Sequence, residues 1–321
     1  MPASAAFMLA VAIACATIMG YAINRGATCM VAAVDEVVRQ QRFGRFLALG
    51  EAALWVAGGI MVASAIGLMP QPAVRHALSV LTIAGGALLG FGAYVNKACV
   101  FGSVARFGSG EWHYAATPLG FLAGCVLILP WLPATMPVAP SQAPHIPAIL
   151  GVALTAFAVW RGIGLLLAAH EVALSRHIWA PHQATSIIGL TFVVMLLTVG
   201  AWTYPEALAQ LARGMTMNSA MRLILFAALL AGAVWGGRQL RGDRKGNWSF
   251  KAGTQCFAGG ALMGAGSLLI PGGNDNLILM GLPLLQPYAW VALTAMAGVI
   301  ALCLIVEDRV RSALDSAWRL H

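Results

Sequence analysis

Ile83-Ala84-Gly85-Gly86-Ala87-Leu88-Leu89-Gly90-Phe91-Gly92 is a run of ten residues without a charge or a polar side chain. It lies inside an apolar stretch, 77–97, close to the ~20 residues a helix needs to cross a bilayer. Gly86 and Gly90 form a GxxxG pattern, the spacing that lets a second helix backbone approach closely in lipid. A soluble fold carrying such a helix needs polar side chains elsewhere to cover its surface. The chain does not supply them. Of its 321 residues 60% are hydrophobic and 9% charged, with mean hydropathy +0.81, whereas soluble domains carry about 25% charged residues. Lipid in place of water removes the discrepancy. The composition therefore predicts an all-α polytopic membrane protein, and 36 glycines and 14 methionines fit the same reading.

Working outward at that length, nine apolar spans are expected, at 4–23, 46–69, 77–97, 115–133, 147–169, 184–202, 219–236, 251–270 and 288–306. The stretches 24–38, 98–112, 203–218 and 271–287 are too polar or too short to span. The net charge of +8 is read as topology, not nucleic-acid binding, because Lys and Arg concentrate in alternate loops. One set holds Arg39, Arg42, Arg45, Lys97, Arg106, Arg176, Arg238, Arg241, Arg244, Lys245, Lys251, Arg309, Arg311 and Arg319; the other holds Arg75, Arg213 and Arg222. The positive-inside rule then puts the N-terminus outside and the C-terminus in the cytoplasm of an inner (plasma) membrane protein. No basic segment precedes the first apolar run, so a cleaved signal peptide is not expected.

The opening decapeptide has a second copy. Phe257-Ala258-Gly259-Gly260-Ala261-Leu262-Met263-Gly264-Ala265-Gly266 matches it at seven of ten positions and repeats the GxxxG at Gly260 and Gly264. The two copies fall in spans of opposite direction. That is the pattern of an inverted repeat, in which a transporter binds its substrate near the midplane where the halves meet. Residues 1–133 are read as the first repeat, 134–183 as a connecting helix and loops, and 184–321 as the second repeat, all in one membrane domain. Chance likeness between Gly/Ala-rich helices is the alternative. It is weakened because each copy runs into a polar, Gly-containing break.

After the first copy comes Asn96-Lys97-Ala98-Cys99-Val100-Phe101-Gly102-Ser103, then Arg106. After the second comes Pro271-Gly272-Gly273-Asn274-Asp275-Asn276. A third break, Asn24-Arg25-Gly26-Ala27-Thr28-Cys29, follows the first span. Irregular backbone at membrane depth survives only when buried in protein or lining a cavity. A helix restarting after such a break aims its free N–H groups at the cavity, which favours an anion. Arg25, Lys97 and Arg106 add positive potential, or else merely anchor the interface.

These residues resemble the YeeE/YedE family of membrane sulfur-compound transporters, whose characterised members take up thiosulfate. The pieces that carry the likeness are Arg25-Gly26-Ala27-Thr28-Cys29, Gly85 to Gly90 followed by Cys99-Val100-Phe101-Gly102, and the second Gly-Gly-Ala-Leu-Met-Gly. The resemblance implies an hourglass fold of nine spans plus short half-helices. It implies that Cys29 and Cys99 pass the sulfur anion inward, and that a small cytoplasmic TusA-like sulfur carrier is a partner. A third family cysteine is absent, since Gly272, Gly273, Asn274 and Asn276 stand where it would follow the second Gly-rich helix. The two amides could donate in its place.

The substrate path is thus expected to include Arg25, Cys29, Lys97, Cys99, Gly102, Arg106, Gly272, Gly273, Asn274 and Asn276. A thiol is a soft, weak donor that can touch a thio-anion without trapping it. Cys15, Cys125 and Cys303 sit mid-helix and are read as small apolar residues, as is Cys256. Arg161 is expected to pair with Glu171 or to snorkel, and Glu51 to pair with a nearby arginine. His170, His177 and His182 read as a solvated loop, not a metal site. No P-loop, Rossmann or Ser-His-Asp pattern appears. No cofactor is expected, and the chain is not read as an enzyme. Two other readings stay open: a non-transporting anchor for a cytoplasmic sulfurtransferase, and a membrane-embedded thiol sulfurtransferase acting through Cys99.

Overall fold

Four times along the chain a long helix stops at a break, a short helix follows, and a second long helix completes the unit. The computed structural model describes residues 3–68, 75–132, 138–139, 179–215, 219–241, 246–270 and 272–318, with positions 153, 156, 157, 160, 161, 163 and 164. The first unit is α1 (Ala3–Arg25), α2 (Met30–Gln40) and α3 (Gly44–Ala65). The second is α4 (Val80–Val95), α5 (Val100–Gly108) and α6 (Ala116–Ile128). The third is α7 (Pro181–Thr198), α8 (Tyr204–Ala212) and α9 (Ser219–Arg241). The fourth is α10 (Phe250–Leu269), α11 (Asn274–Asn276, running on as a π turn through Gly281) and α12 (Pro287–Trp318). Arg75–His76 pairs antiparallel with Val138–Ala139 over two residues.

The protein is an all-α polytopic membrane protein. Among the described residues seven helical stretches are long and apolar enough to cross a membrane, and an eighth if the bent α10–α11 pair counts as one. The expected span 147–169 lies mostly outside the described residues, as do Glu171, His170 and His177; its described positions are helical. The ends differ from expectation in one place. Apolarity stops near Val306, yet α12 continues to Trp318. An ion pair between Glu307 and Arg311 one turn on supports the extension, and Arg39 of α2 is bound by Asp308 at 2.8 Å.

The breaks in the first half share one geometry. At the end of α1 the Thr28 amide donates to the Ile23 carbonyl at 3.3 Å, with Ala27 at φ 45°. At the end of α4 the Ala98 amide donates to the Ala93 carbonyl at 3.1 Å, with Lys97 at φ 56°. Both are helix ends closed over a left-handed residue, a place usually held by glycine. Without glycine the conformation costs about 1–2 kcal/mol. α10 ends differently: Ile270 is already extended, and Gly272, at φ 115°, donates its own amide to the Ser267 carbonyl at 3.2 Å.

Glycines set the packing. α4 and α10 lie antiparallel: the Gln255 side chain, near the start of α10, donates to the Val95 carbonyl at the end of α4, 2.7 Å away. A Cβ on Gly92 would sit 2.8 Å from the Gly259 carbonyl oxygen. The two GxxxG pairs face elsewhere. Gly86 and Gly90 meet α12, where an added Cβ would lie 2.5 Å from the carbonyl oxygens of Ala292 and Met296. Gly260 and Gly264 meet the Thr117 and Phe121 carbonyls of α6. In the same manner α1 packs on α9 through Gly20 and Gly232, and α3 packs on α7 through Gly189.

Glu51 pairs with an arginine as expected, but that arginine is Arg161, which was expected to pair with Glu171 or to snorkel. Arg161 binds Glu51, Nε to Oε1 at 2.7 Å. The other Glu51 oxygen meets His182 Nδ1 at 2.6 Å, and Ser186 donates to Oε1 at 2.9 Å. His182 therefore belongs to an ion network between α3 and α7, not to a solvated loop. A carboxylate that is only 6% exposed needs such company, because desolvation penalises it otherwise.

Candidate functional site

The first amides of a helix have no partner within it. In α2 and α5 the N-cap residues are Cys29 and Cys99, both with extended backbone. Each sulfur serves the other helix. The Met30 amide, at the first position of α2, donates to Cys99 Sγ at 3.1 Å; the Cys99 amide donates to Cys29 Sγ at 3.4 Å. Cys99 is fully buried and Cys29 partly exposed. The approach depends on Gly102, where an added Cβ would stand 2.5 Å from the Cys29 sulfur. Beside Cys29 is a cavity of about 10 Å³ reaching Arg45 and Thr185, room for about one water.

The other two short helices start against these. Thr203 is the N-cap of α8, and the Tyr204 hydroxyl after it donates to the Val100 carbonyl of α5 at 3.1 Å. Gly273 is the N-cap of α11 and lies against α8, where an added Cβ would be 3.1 Å from Pro205 Cβ. Asn274 is wholly buried, and neither its amide oxygen nor its nitrogen finds a hydrogen-bond partner among the described residues. Asp275 accepts the Asn276 amide at 2.9 Å, capping α11 from within its first turn. The Asn276 side chain closes over Gly272, which has no room for a Cβ.

Of the predicted path residues, Cys29, Cys99 and Gly102 come together, and Gly272, Gly273, Asn274 and Asn276 form the start of α11. The cations divide. Arg106 lies over the Tyr114 ring, 5.5 Å from its centroid, and pairs with Glu111 at 3.3 Å. Arg25 is fully buried but turned toward α9: it stacks on Tyr21 at 5.0 Å and donates to Gln239. Lys97, sequence neighbour of the Cys99 break, is exposed.

Three residues were not singled out by the sequence. Thr203 and Tyr204 complete the set of helix starts, although their stretch was already too polar to span. Tyr114 is buried with Ala98 and Cys256 in a cluster that Cys29 touches. Cys256, read as a small buried residue, is buried there. Among the described residues no group of three or more His, Cys, Asp or Glu is placed to hold a metal ion.

The site is thus two N-cap thiols at a meeting of helix starts, on Gly-packed membrane helices. A family model described as sulphur transport matches residues 25–302, from Arg25 at the first break to the last span. The chain belongs to that family. The match takes in Cys29, Cys99 and all four breaks. A comparison with curated proteins gives no match.

Proposed function

We propose that the protein is an inner-membrane permease for uptake of thiosulfate or a related sulfur-containing anion. The observation that carries this reading is the exchange of amides between Cys29 and Cys99. Both N–H···S bonds are weak, since thiol sulfur is a poor acceptor. An arriving thio-anion takes those amides in the sulfur's place, and the helix N-termini supply about half a positive charge each. Because the bonds given up are weak, the anion is held loosely enough to leave. Asn274, buried and unpartnered, offers the amide expected where the third family cysteine is absent.

The inverted repeat belongs to the same proposal. It is supported by the order of elements, long–short–long twice in each half, and by the exchange of contacts between halves: α4 with α12 and α10 with α6, α1 with α9 and α7 with α3. Nine spans result if 147–169 crosses once. Arg39, Lys97, Arg106 and Arg238 gather at one end of the bundle, which the positive-inside rule makes cytoplasmic, with the N-terminus outside. A TusA-like carrier would collect sulfur at that basic face.

The test is uptake of labelled thiosulfate into proteoliposomes, with sulfite, selenite and sulfide added in turn as competitors. Saturable uptake reduced by thio-anions is expected. A protein that binds a sulfurtransferase but moves none of these anions would be an anchor instead.

A further inference from the structure

Beyond Asn274, on the side of the path away from the basic face, lies a second buried side chain that the anion path does not explain. Asp275 is 2% exposed. Its carboxylate takes the Asn276 amide and faces Thr203, and no Lys, Arg or His among the described residues is ion-paired with it. The groups of α8 turned toward it are Thr203, Tyr204 and a second acid, Glu206, which accepts from Gln210 at 2.7 Å. From α5 the nearest ionisable group is the Cys99 thiol, beyond Tyr204. Arg213 is exposed, and His76 packs on the Tyr288 ring at 5.3 Å.

We propose that Asp275, with Glu206 beside it, binds a proton on the entry side of the path, and that this proton crosses together with the sulfur anion. The proposal rests on reading the chain as an anion permease. A carboxylate buried without a cationic partner among the described residues bears the full cost of desolvation, and binding a proton removes that cost. Asn274 supplies the independent sign of a ligand here: a fully buried amide, unsatisfied on both polar atoms, next to the acid. An anion accepted by that amide meets a repelling carboxylate unless Asp275 is neutral. Proton binding and anion binding therefore favour each other, and the coupling is reciprocal. The proton comes from outer water by way of half-buried Glu206, forms the O–H bond on Asp275, and is given up to inner water once the anion has passed. No covalent step is involved.

Proteoliposomes loaded with a pH-sensitive dye test this. Wild-type protein given outside thiosulfate should acidify the lumen as label enters, and an inward proton gradient should drive accumulation. Asp275→Asn should still exchange labelled for unlabelled thiosulfate, more slowly, but neither acidify nor accumulate. Glu206→Gln should keep both at a reduced rate. A wild-type protein that takes up thiosulfate with no acidification overturns the inference and leaves the permease reading standing. So does an Asp275→Asn protein that accumulates normally. Absence of uptake for every sulfur anion instead removes the permease reading. In that case, or if Asp275→Asn fails to fold, infrared difference spectra of the wild-type protein decide. A buried protonated carboxyl band that shifts on adding thiosulfate is expected, and its absence overturns the proton site.

Discussion

The Cys29 sulfur accepts the amide hydrogen of Cys99 at 3.4 Å, while the Cys99 sulfur accepts the amide of Met30 at 3.1 Å. Cys99→Ala removes one acceptor and one soft contact from the middle of the path. The helix start it caps keeps its other bonds, so the variant should purify with a melting temperature near wild type and lose most thiosulfate uptake. Normal uptake would sink the thiol relay. Cys15→Ala, Cys125→Ala and Cys303→Ala should transport almost as well as wild type.

Gly102 is the floor on which Cys29 rests. In Gly102→Ala the new methyl would sit 2.5 Å from the Cys29 sulfur and 3.0 Å from its Cβ, so α2 or α5 has to shift. Uptake should slow about ten-fold or more, equivalent to ~1.4 kcal/mol, with Cys29 labelled by a small maleimide at a changed rate. Unchanged transport and labelling together would show that the two short helices can separate freely.

Gly86→Leu and Gly260→Leu probe packing, not substrate contact. At Gly86 the first added carbon already meets the Ala292 carbonyl oxygen at 2.5 Å, and at Gly260 the Thr117 carbonyl is nearer still. These are backbone atoms and cannot rotate away. Each variant should lose about 3 kcal/mol or more, the upper end for overpacking. A thermal-shift assay in detergent reads it directly; no loss of stability would remove the close-contact account.

Glu51 holds an arginine, a histidine and a hydroxyl from two parts of the chain, Arg161 and the start of α7. Glu51→Ala should cost about 2–3 kcal/mol, less than the ~3–5 of a fully enclosed pair, since Arg161 keeps 26% of its side-chain surface. Removing Arg161 as well should recover part of that loss, because no buried charge is then left alone. A double variant as unstable as the sum of the singles would mean that the residues act independently.

Apolar length made most spans legible, and the polarity of 24–38, 98–112, 203–218 and 271–287 located all four breaks. Cys29 and Cys99 stood out in the sequence because each falls in a polar break beside a cation; that each sulfur accepts an amide from the other break was not legible. What hid was set by conformation or by distance along the chain. Thr203 and Tyr204 carry neither a thiol nor a charge, so their break read as an ordinary loop. Lys97 sits two residues from Cys99, but as the left-handed residue closing α4 it is exposed rather than turned to the thiol. His182 and Glu51 are 131 positions apart, and no local pattern joins them. The apolar criterion could not see α12 past Val306, where ion pairs take over from lipid.

The groove formed by Gly86 and Gly90 is filled by α12, the last of the described helices, and the one at Gly20 by α9. During synthesis the early helices therefore enter the bilayer long before their partners exist. Until α12 has left the ribosome, the most closely fitting face of α4 is covered only by lipid, which does not match its shape. A chain cut short before α12 should be inserted yet loosely assembled, and a ready target for membrane proteases. Emergence of α12, rather than insertion of the first half, is the moment at which the path can close.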